Sequence, residues 1–405
     1  MRILVVSQYF WPENFRINDL SKSLKDRGHE VTVLTGYPNY PEGRIYDDFK
    51  KQPKEYGSID GVDIIRVPLL PRKNGSISLI LNYLSFFMSG SLFGLWKTKS
   101  KQFDVIICCQ LSPVTAAIPA IVLKKVKKIP LILWSLDLWP ESLEAVGQVK
   151  SNMVLTTIGK LVAYIYSNCD LILGQSKSYL EAIDKRNKNK TPMDLFPNWA
   201  EDIFFETQRN ATPSDNLNIM FAGNIGEAQD LGALVECAKI LQSNKVNVLF
   251  SIVGDGRIRK WLETKVKESG LESYFVFHGA HPLEAMPGFY SKADVALVSL
   301  KRDYIFERTI PGKVQSYMMA GLPILSMLDG EGDKLVYEAN CGLGCHSGDY
   351  RALAQNITSC VQMKRDKLIQ LGVNGRVYAQ KHFSKDTLVG QLEGYMAELA
   401  IKGNK

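Results

Sequence analysis

The sequence predicts an α/β protein of two Rossmann-like, parallel-sheet domains facing a cleft, and three observations carry that expectation. The chain opens with an apolar run, Ile3 to Val6, then a helical pattern through Leu20 and Leu24 that stops at Arg27-Gly28-His29, then a second run, Val31 to Thr35. Strand, loop, helix, glycine stop and strand make a βαβ unit, which implies parallel strands and a ligand at their carboxyl ends. The same order of elements begins again at Leu217, after a polar connector. Finally, 405 residues with 45% hydrophobic side chains suffice for two cores.

Taken in order, further strands are expected at Val62 to Val67, Val105 to Cys109, Leu131 to Trp134 and Leu171 to Gly174, so that 1–205 reads as the first domain. Residues 206–216, rich in Asn, Thr, Ser and Pro, read as a linker. Next come a strand from Leu217 to Ala222, the tight turn Gly223-Asn224-Ile225-Gly226, and an amphipathic helix from Leu231 to Leu241. Strands at Val248 to Val253, Val276 to Phe277, Val295 to Ser299 and Ile324 to Met327 complete a second domain, 217–385. The tail, 386–405, reads as a helix that crosses back to the first domain.

One apolar stretch, 77–96 (Ile77 to Trp96), is flanked by Arg72, Lys73, Lys97, Lys99 and Lys101. Its length approaches a bilayer span, and Asn82, four serines and two glycines dilute it. Three placements fit: a helix packed inside the domain, an interfacial helix whose lysines meet anionic headgroups, and a span.

A formal charge of +7, spread along the chain, disfavours dedicated nucleic-acid binding and fits an anionic membrane surface or substrate. Seven scattered cysteines indicate a reduced compartment. Cys341, Cys345 and His346 lack a second pair at zinc spacing, so no metal is expected. Met1 to Phe10 has the makeup of a buried strand rather than a signal peptide, and the expected location is the cytoplasm. The loop from Phe10 to Arg16 lacks the glycine fingerprint of dinucleotide sites, which disfavours NAD, and no other cofactor is expected.

The chemistry concentrates in Phe306 to Pro323. Glu307 precedes a Pro311-Gly312-Lys313 turn that opens a short helix, with Pro311 at its first position and Gly312 admitting close approach. The unpaired amides of a helix start attract an anion, and Lys313 adds a full charge, an arrangement suited to a diphosphate. The carboxamide of Gln315 suits a sugar or ribose hydroxyl. Asp137 follows a strand; it reads either as a carboxylate that accepts a proton or as the N-cap of a helix starting at Trp139.

Glu307 and Gln315 stand at the spacing of the Glu-x7-Glu motif of family-four glycosyltransferases, with Gln in place of the second Glu. The loop Pro12-Glu13-Asn14-Phe15-Arg16, Arg27 to Gly43, DLWPES (Asp137 to Ser142), FPNWAED (Phe196 to Asp202), FAGNIGEAQDL (Phe221 to Leu231), VGDG (Val253 to Gly256) and Pro311 to Leu325 follow in the order of that family. Together they resemble bacterial surface-polysaccharide glycosyltransferases, nearest the N-acetyl-L-fucosaminyltransferase branch of O-antigen assembly. The resemblance implies a GT-B fold, a UDP-sugar donor in the second domain, and an acceptor in the first, a polyprenyl-diphosphate-linked sugar such as N-acetylglucosamine.

The same resemblance implies roles. Glu307 contacts donor-sugar hydroxyls, Gln315 the ribose, and the amide and carbonyl of Ala280 the uracil. Gly223, Asn224, Gly226, Pro311 and Gly312 line the donor. An Arg and a Lys common in the family are replaced by Asn224 and the Gln229-Asp230 region, which places the charge on Lys313, helped by Arg257, Arg259 or Lys260. Relatives carry His-Asp where Leu136-Asp137 stand, leaving Asp137, Glu141 or Glu13 to take the acceptor proton; Glu13, Asn14, Arg16 and Glu141 form the acceptor side. His278 and Asp294 read as structural. A UDP-sugar 2-epimerase and an inactive GT-B partner subunit are the alternative readings; the epimerase has no need of an apolar basic-flanked helix.

Overall fold

The computed structural model describes residues 1–72, 75–145, 151–207 and 216–403. Lys73 and most of the expected linker, 208–215, lie outside the described residues. The chain divides into two units, Met1–Phe196 with Val389–Lys405, and Pro197–Leu388.

The first unit holds, among the described residues, an eight-stranded sheet: β1 (Arg2–Val6), β2 (Glu30–Gly36), β3 (Ser58–Ile59), β4 (Val62–Val67), β5 (Val105–Gln110), β6 (Leu131–Ser135), β7 (Leu171–Gly174) and β8 (Met193–Leu195), in the order β3-β4-β2-β1-β5-β6-β7-β8. Only β3 runs antiparallel to its neighbour. Ile3 to Val6 and Val105 to Cys108 are fully buried, as central strands covered on both faces must be. The chain leaves β1 toward β2 and later resumes on its other side at β5, so the crevice beyond their carboxyl ends is the switch point where such sheets bind ligands.

The second unit holds, among the described residues, a parallel sheet of six strands, β9 (Leu217–Ala222), β10 (Val248–Val253), β11 (Phe275–Gly279), β12 (Val295–Ser299), β13 (Ile324–Met327) and β14 (Gly342–Cys345), ordered β11-β10-β9-β12-β13-β14. Its switch point falls between β9 and β12.

The boundary differs from the expected one. Residues 197–205 cluster with the second unit, because Ala200 N donates to Phe383 O, Gln315 Nε2 to Asn198 O and Ser316 Oγ to Glu201, and Phe204 stacks on Tyr290. From Val389 the final helix, Lys385–Gly403, belongs to the first unit, where Glu393 pairs with Arg27 and His29. Strands β3, β8 and β14 went unexpected: β3 has two residues, and β14 (GLGC) has no β-branched side chain.

The apolar stretch is one helix, Ser76–Lys97. Among the described residues it alone is long and apolar enough to cross a membrane, and 33% of it is buried. Its inner face is specific. Asn82 is fully buried, donating to Leu70 O and accepting from Gln8 Nε2 and Tyr9 OH, while the Tyr83 ring packs edge-on against Trp139. Its outer face exposes Leu81, Leu84, Met88, Leu92 and Trp96. Two flanking lysines are engaged by the protein itself: Lys97 Nζ donates to Arg66 O at 2.8 Å, and Lys101 pairs with Asp63 at the surface at 2.8 Å.

Candidate active site

In the second unit the loops after β9, β10 and β11 are laced together by backbone bonds. Gly223 N donates to Val253 O, Ile225 N to Asp255 O, and Gly254 N to Gly279 O, all within 2.8 Å. Gly254 has φ +138°, and a Cβ there would stand 1.9 Å from Gly223 O, so only glycine allows this approach. Ile225 O and Asn224 press on Gly256 in the same way.

Against this floor lies Lys313, on the second residue of the helix Gly312–Met319. Its Nζ is 2.9 Å from Gln229 Oε1 and 3.6 Å from the centroid of the Phe221 ring. A Cβ at Gly223 would come within 2.8 Å of Lys313 Cε, so glycine at that turn makes room for the lysine stem. Burial without a carboxylate partner pulls the ammonium down to about 7. Gln229 thus accepts from a cation supplied by the helix. Pro311 is the N-cap, with ψ 130°, and the helix starts one residue later than expected, at Gly312.

Glu307 stands on the turn Phe306–Arg308 beyond β12, its side chain 36% exposed and 3.9 Å from Arg308. Gly330, in the loop after β13, has φ +78°, and a Cβ there would meet Glu307 O at 1.9 Å. The two loops are therefore fixed together. Beside them is a cluster that sequence reasoning missed: Asp329 accepts from Arg302 Nε at 2.8 Å and contacts His346 Nδ1 at 2.7 Å. These residues follow β12, β13 and β14, and only their shared position at strand carboxyl ends unites them.

Several expected ligands are committed elsewhere. Gln315 is 1% exposed, donates Nε2 to Asn198 O at 2.6 Å, and keeps Oε1 buried without a partner, so it does not offer its carboxamide to solvent. Two residues on from Lys313, it lies on the opposite side of the helix. Arg259 is held by Glu263 at 2.9 Å and Asp255 at 3.6 Å, close to Gly279. Asn224, Arg257, Lys260 and Ala280 are exposed and Gly226 is buried. His278 packs on Phe289, and burial lowers its basicity; Asp294 accepts from Asn218 N and pairs with Arg365.

In the first unit, Asp137 is half-buried just beyond β6. Its Oδ2 accepts from Trp139 Nε1 at 2.9 Å. Burial raises its pKa, opposed by the hydrogen bond from Trp139. The next helix begins at Glu141, not Trp139, so Asp137 lies four residues ahead of it. Glu141 is paired with Arg186. Glu13 is 3% exposed, and its carboxylate takes the amides of Asn39, Tyr40 and Phe10. Both expected acceptor carboxylates are thus engaged within the protein, Glu141 by ion pairing and Glu13 by pinning a loop. Asn14 is exposed, and Arg16 is half-buried at the start of the helix Arg16–Asp26.

Two α/β units whose cations and carboxylates gather at strand carboxyl ends have the architecture of ligand-binding doubly wound enzymes, and comparison with known proteins gives the class. Residues 14–199 match the family described as glycosyl transferase 4-like domain, and 216–363 match glycosyl transferases group 1. The chain belongs to the group 1 glycosyltransferases of GT-B fold and is a transferase. It is 25% identical over 79% of its length, and 82% of the relative's, to WcaI, proposed as a colanic acid biosynthesis glycosyl transferase of Escherichia coli strain K12. Anabaena HepE, solved with UDP, superposes with a TM-score of 0.72 at 16% identity, covering 98% of this chain and 100% of that one. WaaG, a glycosyltransferase involved in lipopolysaccharide biosynthesis, does so with a TM-score of 0.62 at 15% identity, covering 98% and 99%.

Proposed function

We propose that the protein transfers an N-acetylated deoxyhexosamine, N-acetyl-L-fucosamine by its resemblance, from a UDP-sugar to a polyprenyl-diphosphate-linked sugar in surface-polysaccharide assembly. The observation that carries this is Lys313 buried at a helix start over the glycine-laced ends of β9 and β10, a seat for a diphosphate. The names of WcaI and WaaG support the pathway, and UDP in HepE supports the donor.

In the reaction the acceptor hydroxyl oxygen bonds to the anomeric carbon as the bond from that carbon to the diphosphate breaks, its electron pair leaving with UDP. Lys313 and the helix amides meet the charge that develops on the leaving group, needing no metal. Glu307 orients the sugar through its hydroxyls. The hydroxyl proton passes to the departing phosphate if configuration is retained, or to Asp137 if it is inverted. The first unit takes the acceptor at the inner face of the cell membrane, where the exposed apolar face of the Ser76–Lys97 helix enters the headgroup layer with the exposed Lys99 just past its end.

UDP release from a panel of UDP-N-acetylhexosamines, UDP-N-acetyl-L-fucosamine included, tests the reading with and without a lipid-diphosphate N-acetylglucosamine acceptor, for wild type and Lys313→Ala. Acceptor-dependent release, lost in the variant, is expected. Release without acceptor, or none with any donor, would sink it.

A further inference from the structure

Glu13 and Glu141 are engaged by other elements of the protein, and the loop that Glu13 pins carries a cluster of aromatic rings. The rings of Tyr9, Phe15 and Tyr40 form a closed corner at the carboxyl end of β1. Their centroids are 5.5 Å (Tyr9 to Phe15, stacked), 5.6 Å (Tyr9 to Tyr40) and 5.5 Å (Phe15 to Tyr40) apart. Tyr9 is buried beneath; Phe15 is half-buried and Tyr40 is 38% exposed, so the corner has an open apolar face. Arg72 lies over the Tyr40 ring at 6.0 Å, and its backbone N donates to Asn39 Oδ1 at 3.1 Å, tying it to the same pinned loop.

Building on the transferase reading above, we propose that this corner is the acceptor seat: Tyr40 and Phe15 carry the apolar face of a pyranose, and Arg72 takes the phosphate attached to it. Aromatic walls with a few placed polar groups are what sugar-sized sites are made of, and a planar guanidinium matches phosphate oxygens in pairs. The order along the chain fits the ligand. Beyond Arg72 the helix Ser76–Lys97 begins, and its exposed Leu81, Leu84 and Met88 continue as an apolar ridge. Ring, phosphate and polyprenyl tail thus meet aromatic corner, cation and ridge in turn. Asn82 fixes that succession by bonding Tyr9 OH from the helix side.

The seat is tested by equilibrium binding of N-acetylglucosamine 1-phosphate, with UDP saturating so that the donor site is filled, to wild type, Arg72→Gln, Tyr40→Ala and Tyr40→Phe. Arg72→Gln is expected to weaken binding at least tenfold and Tyr40→Ala about as much, with Tyr40→Phe near wild type and melting temperatures preserved. For neutral N-acetylglucosamine, Arg72→Gln is expected to have no effect. Absence of binding to wild type, or equal binding by all four proteins, overturns the seat. Binding with this pattern but no transfer from any donor overturns the enzymatic reading and leaves the seat standing.

Discussion

Lys313 is the most exposed point of the mechanism to experiment, because its charge is itself titratable near neutrality. In the free protein burial holds the ammonium at about 7, against an ordinary 10.5. The proposed diphosphate seat needs the charged form, which exists below that pKa and is lost as pH rises through it. The charged fraction falls from one half at pH 7 to about 3% at pH 8.5, so UDP affinity is expected to drop about 15-fold over that interval. Isothermal titration of UDP between pH 6 and 9 measures it. Lys313→Arg, always charged, is expected to flatten the profile, and Lys313→Met to bind weakly and without the slope. A wild-type slope that survives in Lys313→Met would refute the assignment. The same group sets a stability trend of known sign. Because its folded pKa is depressed, the unfolded chain binds more protons between about 7 and 10.5, and stability rises with pH across that window.

Other expectations follow from the same geometry. Glu307→Gln is expected to lower kcat about 100-fold or more while UDP affinity stays within twofold, measured by transfer rate and titration in parallel. Asp137→Asn is expected to cut transfer about 100-fold if it is the base, with donor binding unchanged; equal rates would remove it from the proton path. Gln315→Leu removes the amide that donates to Asn198 O, and is expected to cost about 1–3 kcal/mol in urea unfolding with the donor KM unchanged. A raised KM instead would restore Gln315 to the nucleotide. Gly254→Ala forces a Cβ into Gly223 O and is expected to abolish UDP binding or folding, read by solubility and melting.

What the sequence disclosed follows from what is local. The central strands were legible because runs such as Ile3 to Val6 are buried on both faces and so contain nothing polar. The Pro311-Gly312-Lys313 turn was legible because its residue types act within one helical turn. Gln315 misled because its partner, Asn198, is 117 residues away, and no local pattern tells a carboxamide aimed at solvent from one sealed against a distant carbonyl. The partners of Glu13 and Glu141 were hidden for the same reason: the amides of Asn39 and Tyr40 and the guanidinium of Arg186 come from other elements. The cluster of Arg302, Asp329 and His346 is invisible in one dimension, since only the parallel order β12-β13-β14 brings its members together.

The cation beside Gln229 has a consequence for turnover. A lysine carried on a surface loop can leave with that loop, and product escapes when the loop swings. Lys313 rides on a helix whose next six residues, Val314 to Met319, are all buried, so it cannot withdraw without disturbing the core. A UDP seated there, as proposed above, would depart from a fixed charge. On that reading its release would depend on protonation and water entry, and its rate is expected to respond to pH more than to solvent viscosity.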